Sequence, residues 1–121
     1  MRGVAVVAAA CAMAAAAAHA QAPEKLGTIT FANSGNAAAE APFLRGMKLY
    51  WSFEYPSAAE AFRDAQKADP SFALAYAAEA LTYTHQVWNQ QDLPAARAAL
   101  MRLAPTPAAR RQKAATKRER M

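Results

Sequence analysis

The feature that most constrains the fold lies between Phe43 and Pro70, in "FLRGMKLYWSFEYPSAAEAFRDAQKADP". Apolar residues fall there in two runs at three- and four-residue steps, parted by a proline-marked break. Such steps place side chains on one face of a helix. The first run presents Phe43, Gly46, Met47, Tyr50 and Trp51, with Arg45 and Lys48 off that face. The second presents Ala58, Ala61, Phe62 and Ala65. A glycine costs a helix about 1 kcal/mol relative to alanine, so Gly46 points to a second helix crossing closely at that position. The stretch predicts two short helices pressed together through small side chains. A lone helix pair buries one face and leaves the other in need of a neighbour.

Punctuation sets the expected boundaries. Pro42 suits a first helical turn, where its missing N–H is not needed, so helix one is expected from Pro42 to Phe53. Ser57-Ala58-Ala59-Glu60 is a capping-box pattern and is expected to open helix two, which runs to Ala68. Asp69-Pro70 closes it, with Asp69 or Ser71 as the cap of helix three. That helix carries the stripe Tyr76, Ala80 and Tyr83 beside Leu74, Leu81 and Trp88. The polar "NQQD" at 89–92 follows, with Asp92 capping a fourth helix, Leu93 to Leu103, whose Leu93, Ala96, Leu100 and Leu103 face inward. Pro107 opens a short helix, and Thr116-Lys117-Arg118-Glu119 repeats the capping-box pattern near the chain's end. A start signal so late suggests a fragment of a longer protein.

The first twenty residues read as a secretory signal: Arg2, an apolar run from Val4 to Ala18, and the small-x-small site Ala18-His19-Ala20. Cleavage is expected after Ala20. The run is shorter than the roughly 20 residues of a membrane span. Cys11 lacks the larger aliphatic residue that lipid-attachment sites carry upstream, and beyond it the chain has no cysteine. The mature part therefore has no disulfide, thiolate or sulfur-ligated metal. Residues 21–41 form an extended lead-in, in which "LGTITF" is expected to lie on the helices.

Charge is unevenly placed. Residues 21–101 hold six basic and eight acidic groups, whereas Arg102 to Met121 holds seven basic residues and Glu119 alone. The tail has no aromatic residue for base stacking, and between Leu103 and Met121 no bulky apolar residue for membrane insertion. It reads as a solvated, partly helical connection from residue 104 onward, and neither a nucleic acid target nor stable membrane insertion is expected.

Catalytic patterns are missing. There is no G-x-S-x-G, no phosphate-cradling glycine loop and no H-E-x-x-H. Glu60 and Asp64, with Arg63 and Lys67 one turn away, make a solvated mixed-charge face. His85 reads as a histidine near a helix C-terminus, favoured by the dipole and packed on Trp88. No metal, cofactor or catalytic residue is expected. The aromatic residues Tyr50, Trp51, Phe53 and Tyr55 are expected mostly in the core. The other role open to them is a shelf for a protein or peptide partner, with Tyr50, Trp51, Tyr83 and Trp88 as its candidate contacts.

The helix pair resembles a tetratricopeptide repeat, a helix-turn-helix unit of about 34 residues. Gly46, Leu49, Ala58, Phe62, Ala65 and Pro70 fill its small, large, alanine, aromatic, alanine and proline places. Tyr76, Ala80 and Tyr83 match the next unit's first helix. Arg45 and Glu79 stand where the pattern has leucine, and the second unit needs an insertion at "NQQD" before Ala96 and Leu100 fall into place. With His85-Gln86-Val87-Trp88 the stretch is similar to the start of exported bacterial repeat proteins. The resemblance implies an all-α solenoid-type fold, antiparallel helix pairs over 42–103, and a non-catalytic scaffold in the periplasm or outside the cell. Self-association is a further expectation. An alternative is the N-terminal helical cap of a larger exported enzyme or transport-associated protein. A third reading has the basic tail docking on anionic surfaces.

Overall fold

The computed structural model describes residues 25–121. The signal and its site after Ala20 lie outside the described residues. Among those described, the chain is all-α, with five α-helices, one 3-10 turn and no strand. The helices are α1 (Ala37–Trp51), α2 (Tyr55–Ala68), α3 (Ala73–Leu81), α4 (Leu93–Leu103) and α5 (Pro107–Lys113), with the 3-10 turn Gln86–Trp88 between α3 and α4. Along the chain, α1 packs on α2, α2 on α3 and α3 on α4, an arrangement of helical-repeat character.

The α1–α2 contact is built as the small residues require. Phe43 and Phe62 are buried, with ring centroids 5.7 Å apart, and Phe72 lies 4.8 Å from Phe43. The Phe62 ring occupies the space where Gly46 has no side chain. Leu49, Ala39, Ala58, Ala61, Ala65, Ala75 and Ala78 complete this core. Burying a Phe or Leu side chain stabilises by about 1.5–3 kcal/mol, so three central phenylalanines and Leu49 carry much of the fold. The lead-in lies across this core, with Leu26 and Phe31 packed on it and Phe31 5.9 Å from Phe43.

Five boundaries differ from the sequence expectation, each for a local reason, the simplest being that α1 ends at Trp51 rather than Phe53 because Phe53 is left-handed. Helix α1 begins at Ala37, and Pro42 sits inside it. Asn36 accepts the Ala39 N–H at 2.9 Å, a strong cap, and the alanine run 37–39 favours helix. The carbonyl that Pro42 leaves without an N–H is that of Ala38, in the exposed first turn. Helix α2 begins at Tyr55, two residues before the expected cap. Ser57 is therefore inside the helix and its capping box with Glu60 is not the start. Pro56, with its fixed φ, fills the second helical position instead.

Asp69 does not cap α3. It accepts from the Asn36 N–H at 2.9 Å and from the Ser71 N–H and hydroxyl at 3.0 and 2.6 Å. It thereby ties the end of α2 to the start of α1, while Phe72 takes the cap position of α3 without a side-chain bond. Helix α3 stops at Leu81, short of Trp88. The Thr82 and Thr84 hydroxyls donate back to the carbonyls of Glu79 and Leu81 at 2.7 and 2.9 Å, the local competition by which hydroxyl side chains disturb helices.

Asp92 caps α4 through the Ala95 N–H at 3.0 Å, and Thr106 caps α5 through Ala109 at 3.2 Å. Leu93 faces outward rather than inward; Ala96, Ala99 and Leu103 are the buried residues of α4. The C-terminal segment is not simply a solvated connection. Ala114 is buried with Ala73, Tyr76 and Leu103. Thr116 and Glu119 cap each other at 3.2 and 3.3 Å. The same Glu119 carboxylate accepts from the Ser34 N–H and hydroxyl at 3.0 and 2.8 Å, and Arg118 lies over the Phe31 ring at 4.6 Å. The tail folds back onto the lead-in.

Candidate functional site

Helix α1 ends in a Schellman turn. The Phe53 N–H donates to the Tyr50 carbonyl at 3.1 Å and the Glu54 N–H to the Leu49 carbonyl at 3.0 Å. Its left-handed position, normally glycine's, is taken by Phe53 at φ 64°. The left-handed region costs a residue with a side chain about 1–2 kcal/mol. This turn carries the Phe53 ring to the surface beside the exposed Trp51. Trp51 is 70 %, Phe53 58 % and Trp88 51 % exposed, whereas Tyr50 and Tyr55 are half-buried and Tyr50 packs against the α1–α2 core, so the cluster is part surface and part core.

The rings nonetheless hold one another. Tyr50 stands edge-on to Trp51 at 5.7 Å and to Tyr55 at 5.5 Å. Phe53, Tyr55 and Trp88 are mutually perpendicular: Phe53–Trp88 5.3 Å at 84°, Tyr55–Trp88 6.1 Å at 83°, Phe53–Tyr55 6.3 Å at 79°. His85 stacks on Tyr55 at 4.3 Å and 16°. It lies beyond the end of α3, so the helix dipole does not explain it and Tyr55, not Trp88, is the ring it stacks on. The Gln86–Trp88 turn brings Trp88 back to the end of α1, where four of the six rings come from Tyr50 to Tyr55.

Three of the four candidate contacts, Tyr50, Trp51 and Trp88, meet in this shelf. Tyr83 does not join it by ring contact. It stands with Tyr55, Pro56, Ala59, Glu60, Arg63, Thr82 and His85 around a groove of about 280 Å³ that begins at the shelf. Its hydroxyl donates to Glu79 at 3.3 Å and accepts from Arg63 at 3.2 Å.

Beneath the groove lies a polar network that the sequence expectation lacks. The Glu79 side chain is only 2 % exposed. It accepts from Arg63 at 3.2 Å, from Gln66 at 2.7 Å, from Tyr83 and from Arg102. Gln66 also donates to the Ala75 carbonyl and accepts from Arg102, both at 3.2 Å. Burial works against the charge on Arg63. The hydrogen bond and charge of Glu79, and those of Tyr83, outweigh it and hold the guanidinium above its usual range. Arg63 is thus partnered across helices by Glu79 rather than placed on a purely solvated face, while Lys67 and Asp64 do pair on the surface at 2.8 Å. The available signal was Glu79 itself, a carboxylate at a place the repeat pattern gives to leucine.

Among the described residues no group of three or more His, Cys, Asp or Glu side chains is placed to hold a metal ion. None of the described helices is long and apolar enough to cross a membrane. Compared with protein-family models, with curated proteins and with solved structures, the chain matches none.

Proposed function

We propose that this chain is an exported tetratricopeptide-type scaffold that binds a protein or peptide on the shelf of Tyr50, Trp51, Phe53, Tyr55, His85 and Trp88, and carries no chemistry of its own. One observation supports the reading most: Trp51, Phe53 and Trp88 are half or more exposed, and Phe53 and Trp88 stand edge-on to each other on half-buried Tyr55. Exposed aromatic anchors of this kind dominate binding energy at interfaces. The successive helix pairing and the Gly46–Phe62 contact accord with a repeat of this family. Export is carried by residues 1–20 of the sequence.

The test is selection of peptides from a random displayed library on the full chain, repeated on a Trp51→Ala/Trp88→Ala variant. Peptides enriched on the parent are expected to bind the variant roughly tenfold or more weakly, with unchanged helical circular dichroism. Enriched peptides that bind both proteins equally, or no enrichment at all, contradict the proposal.

A further inference from the structure

The shelf has a chemistry more specific than greasiness, and two independent observations define it. The first is charge. Residues 49–62 and 80–96 supply every ring of the shelf. They contain Glu54, Glu60 and Asp92 and no lysine or arginine, with Lys48 and Arg63 flanking the first stretch and the Arg63 guanidinium held by Glu79 and Tyr83. The second is strain. Two non-glycine residues among those described have positive φ: Phe53 at 64° and Asn89 at 51°. Phe53 is a shelf ring and Asn89 follows Trp88 directly. Backbone strain persists at ligand clamps and similar sites where the surroundings enforce it. Burial does not account for the Phe53 side chain, which is 58 % exposed.

The strained residue belongs to the corner made by Phe53, Tyr55 and Trp88, whose planes meet at 79° to 84°. Aromatic faces attract cations, with Arg most often the partner, at up to about 6 Å from the ring centroid. The Phe53 and Trp88 centroids lie 5.3 Å apart, within reach of one cation, while His85 covers one face of Tyr55 at 4.3 Å and leaves its other face to the corner. Glu54 lies between two of its rings in the chain, and Glu60 lines the adjoining groove together with Arg63, whose charge is met by Glu79. The fold already uses such a contact internally, where Arg118 sits over Phe31.

Resting on the shelf as the binding surface, we infer that its occupant is a basic peptide segment, seated by an arginine or lysine side chain in the Phe53–Tyr55–Trp88 corner and steered by Glu54, Glu60 and Asp92. Phe53 is kept in a left-handed backbone because its ring is needed in that corner.

Both tryptophans of the chain belong to the shelf, so intrinsic tryptophan emission of the full-length protein reads this surface alone. The probe is a nonapeptide of alternating glycine and arginine. Its control carries citrulline, which has nearly the shape of arginine and no charge. The arginine peptide is expected to change the emission saturably and to bind roughly fivefold or more tightly than the control. A Phe53→Gly variant is expected to melt higher, since glycine suits the left-handed position, yet to bind the arginine peptide roughly threefold or more weakly. Equal binding of the arginine and citrulline peptides overturns the inference. So does a Phe53→Gly variant that melts lower, which would make the ring a structural one. Library peptides that depend on Trp51 and Trp88 but show no preference for basic residues would leave the shelf standing and remove this inference alone.

Discussion

Replacing Gly46 with alanine sets two effects of known size against each other. An ideal Cβ there would lie 2.6 and 2.7 Å from Cε1 and Cδ1 of Phe62 and 3.0 Å from Cζ, against about 3.5–4.0 Å for carbon atoms at their best separation. The Phe62 ring is 1 % exposed and stands against Phe43 at 5.7 Å, so it cannot swing into solvent. Overpacking of this kind costs about 1–3 kcal/mol. Alanine returns about 1 kcal/mol of helix propensity. The overpacking wins, leaving Gly46→Ala about 1 kcal/mol less stable than the parent, or about 4–8 °C lower in melting temperature for a domain of this size. The same change is then made in a Phe62→Leu background, where the ring is gone. There Gly46→Ala is expected to be neutral or to stabilise by up to about 1 kcal/mol. Thermal melts followed by far-ultraviolet circular dichroism measure all four proteins. A Gly46→Ala protein that melts higher than the parent, or an equal effect in both backgrounds, refutes the close crossing of α1 and α2.

Other expectations address the polar network, the caps and acid stability. Removing both guanidinium groups with Arg63→Met/Arg102→Met strands the buried Glu79 carboxylate and is expected to cost about 3–5 kcal/mol. Glu79→Gln leaves two partly exposed arginines that can turn to water, so urea titration should find it the milder change. Asn36→Ala removes the α1 cap and should cost about 1 kcal/mol, whereas Ser57→Ala, inside α2, should stay within about 0.5 kcal/mol; the reverse order in urea would restore the expected capping box. The Ser71 hydroxyl, aided by the N–H groups of Asn36 and Ser71 against the opposing effect of burial, holds the Asp69 carboxyl below its ordinary value. A folded-state pKa below the unfolded one means stability that is full above the unfolded value, about 3.9, and is lost as pH falls through the folded value. Melts from pH 6 down to about 2 should therefore fall less steeply for Asp69→Asn than for the parent.

The helix pair is legible because its signal is local. Gly46 and Phe62 announce a close crossing, Asp92 caps the helix it precedes, and Pro107 opens α5. The start of α1 is not, since Pro42 imitates a first turn while Asn36 and the alanine run outcompete it. The exposure of Trp51 is hidden by periodicity, which places it on the same stripe as Phe43, Gly46 and the half-buried Tyr50. Trp51 ends α1 at the rim of that stripe, and the left-handed turn that follows at Phe53 is normally announced by glycine. The stacking of His85 on Tyr55 needs α3 to end at Leu81, a decision made by Thr82 and Thr84 against a helical pattern that runs on to Trp88. The Glu79 network could not be read from any one segment, because Arg63, Gln66 and Arg102 reach it from two different helices.

The most direct test of the account is a two-dimensional NMR titration of the 15N-labelled full chain with a peptide recovered from the library selection. The indole N–H signals of Trp51 and Trp88 serve as two reporters that need no sequence-wide assignment beyond a single substitution each. The account predicts that both indole signals move together and saturate with the peptide, along with the amides of Phe53, Tyr55 and His85. Shifts confined to α4, α5 or the basic tail, with both indole signals unmoved, would contradict it.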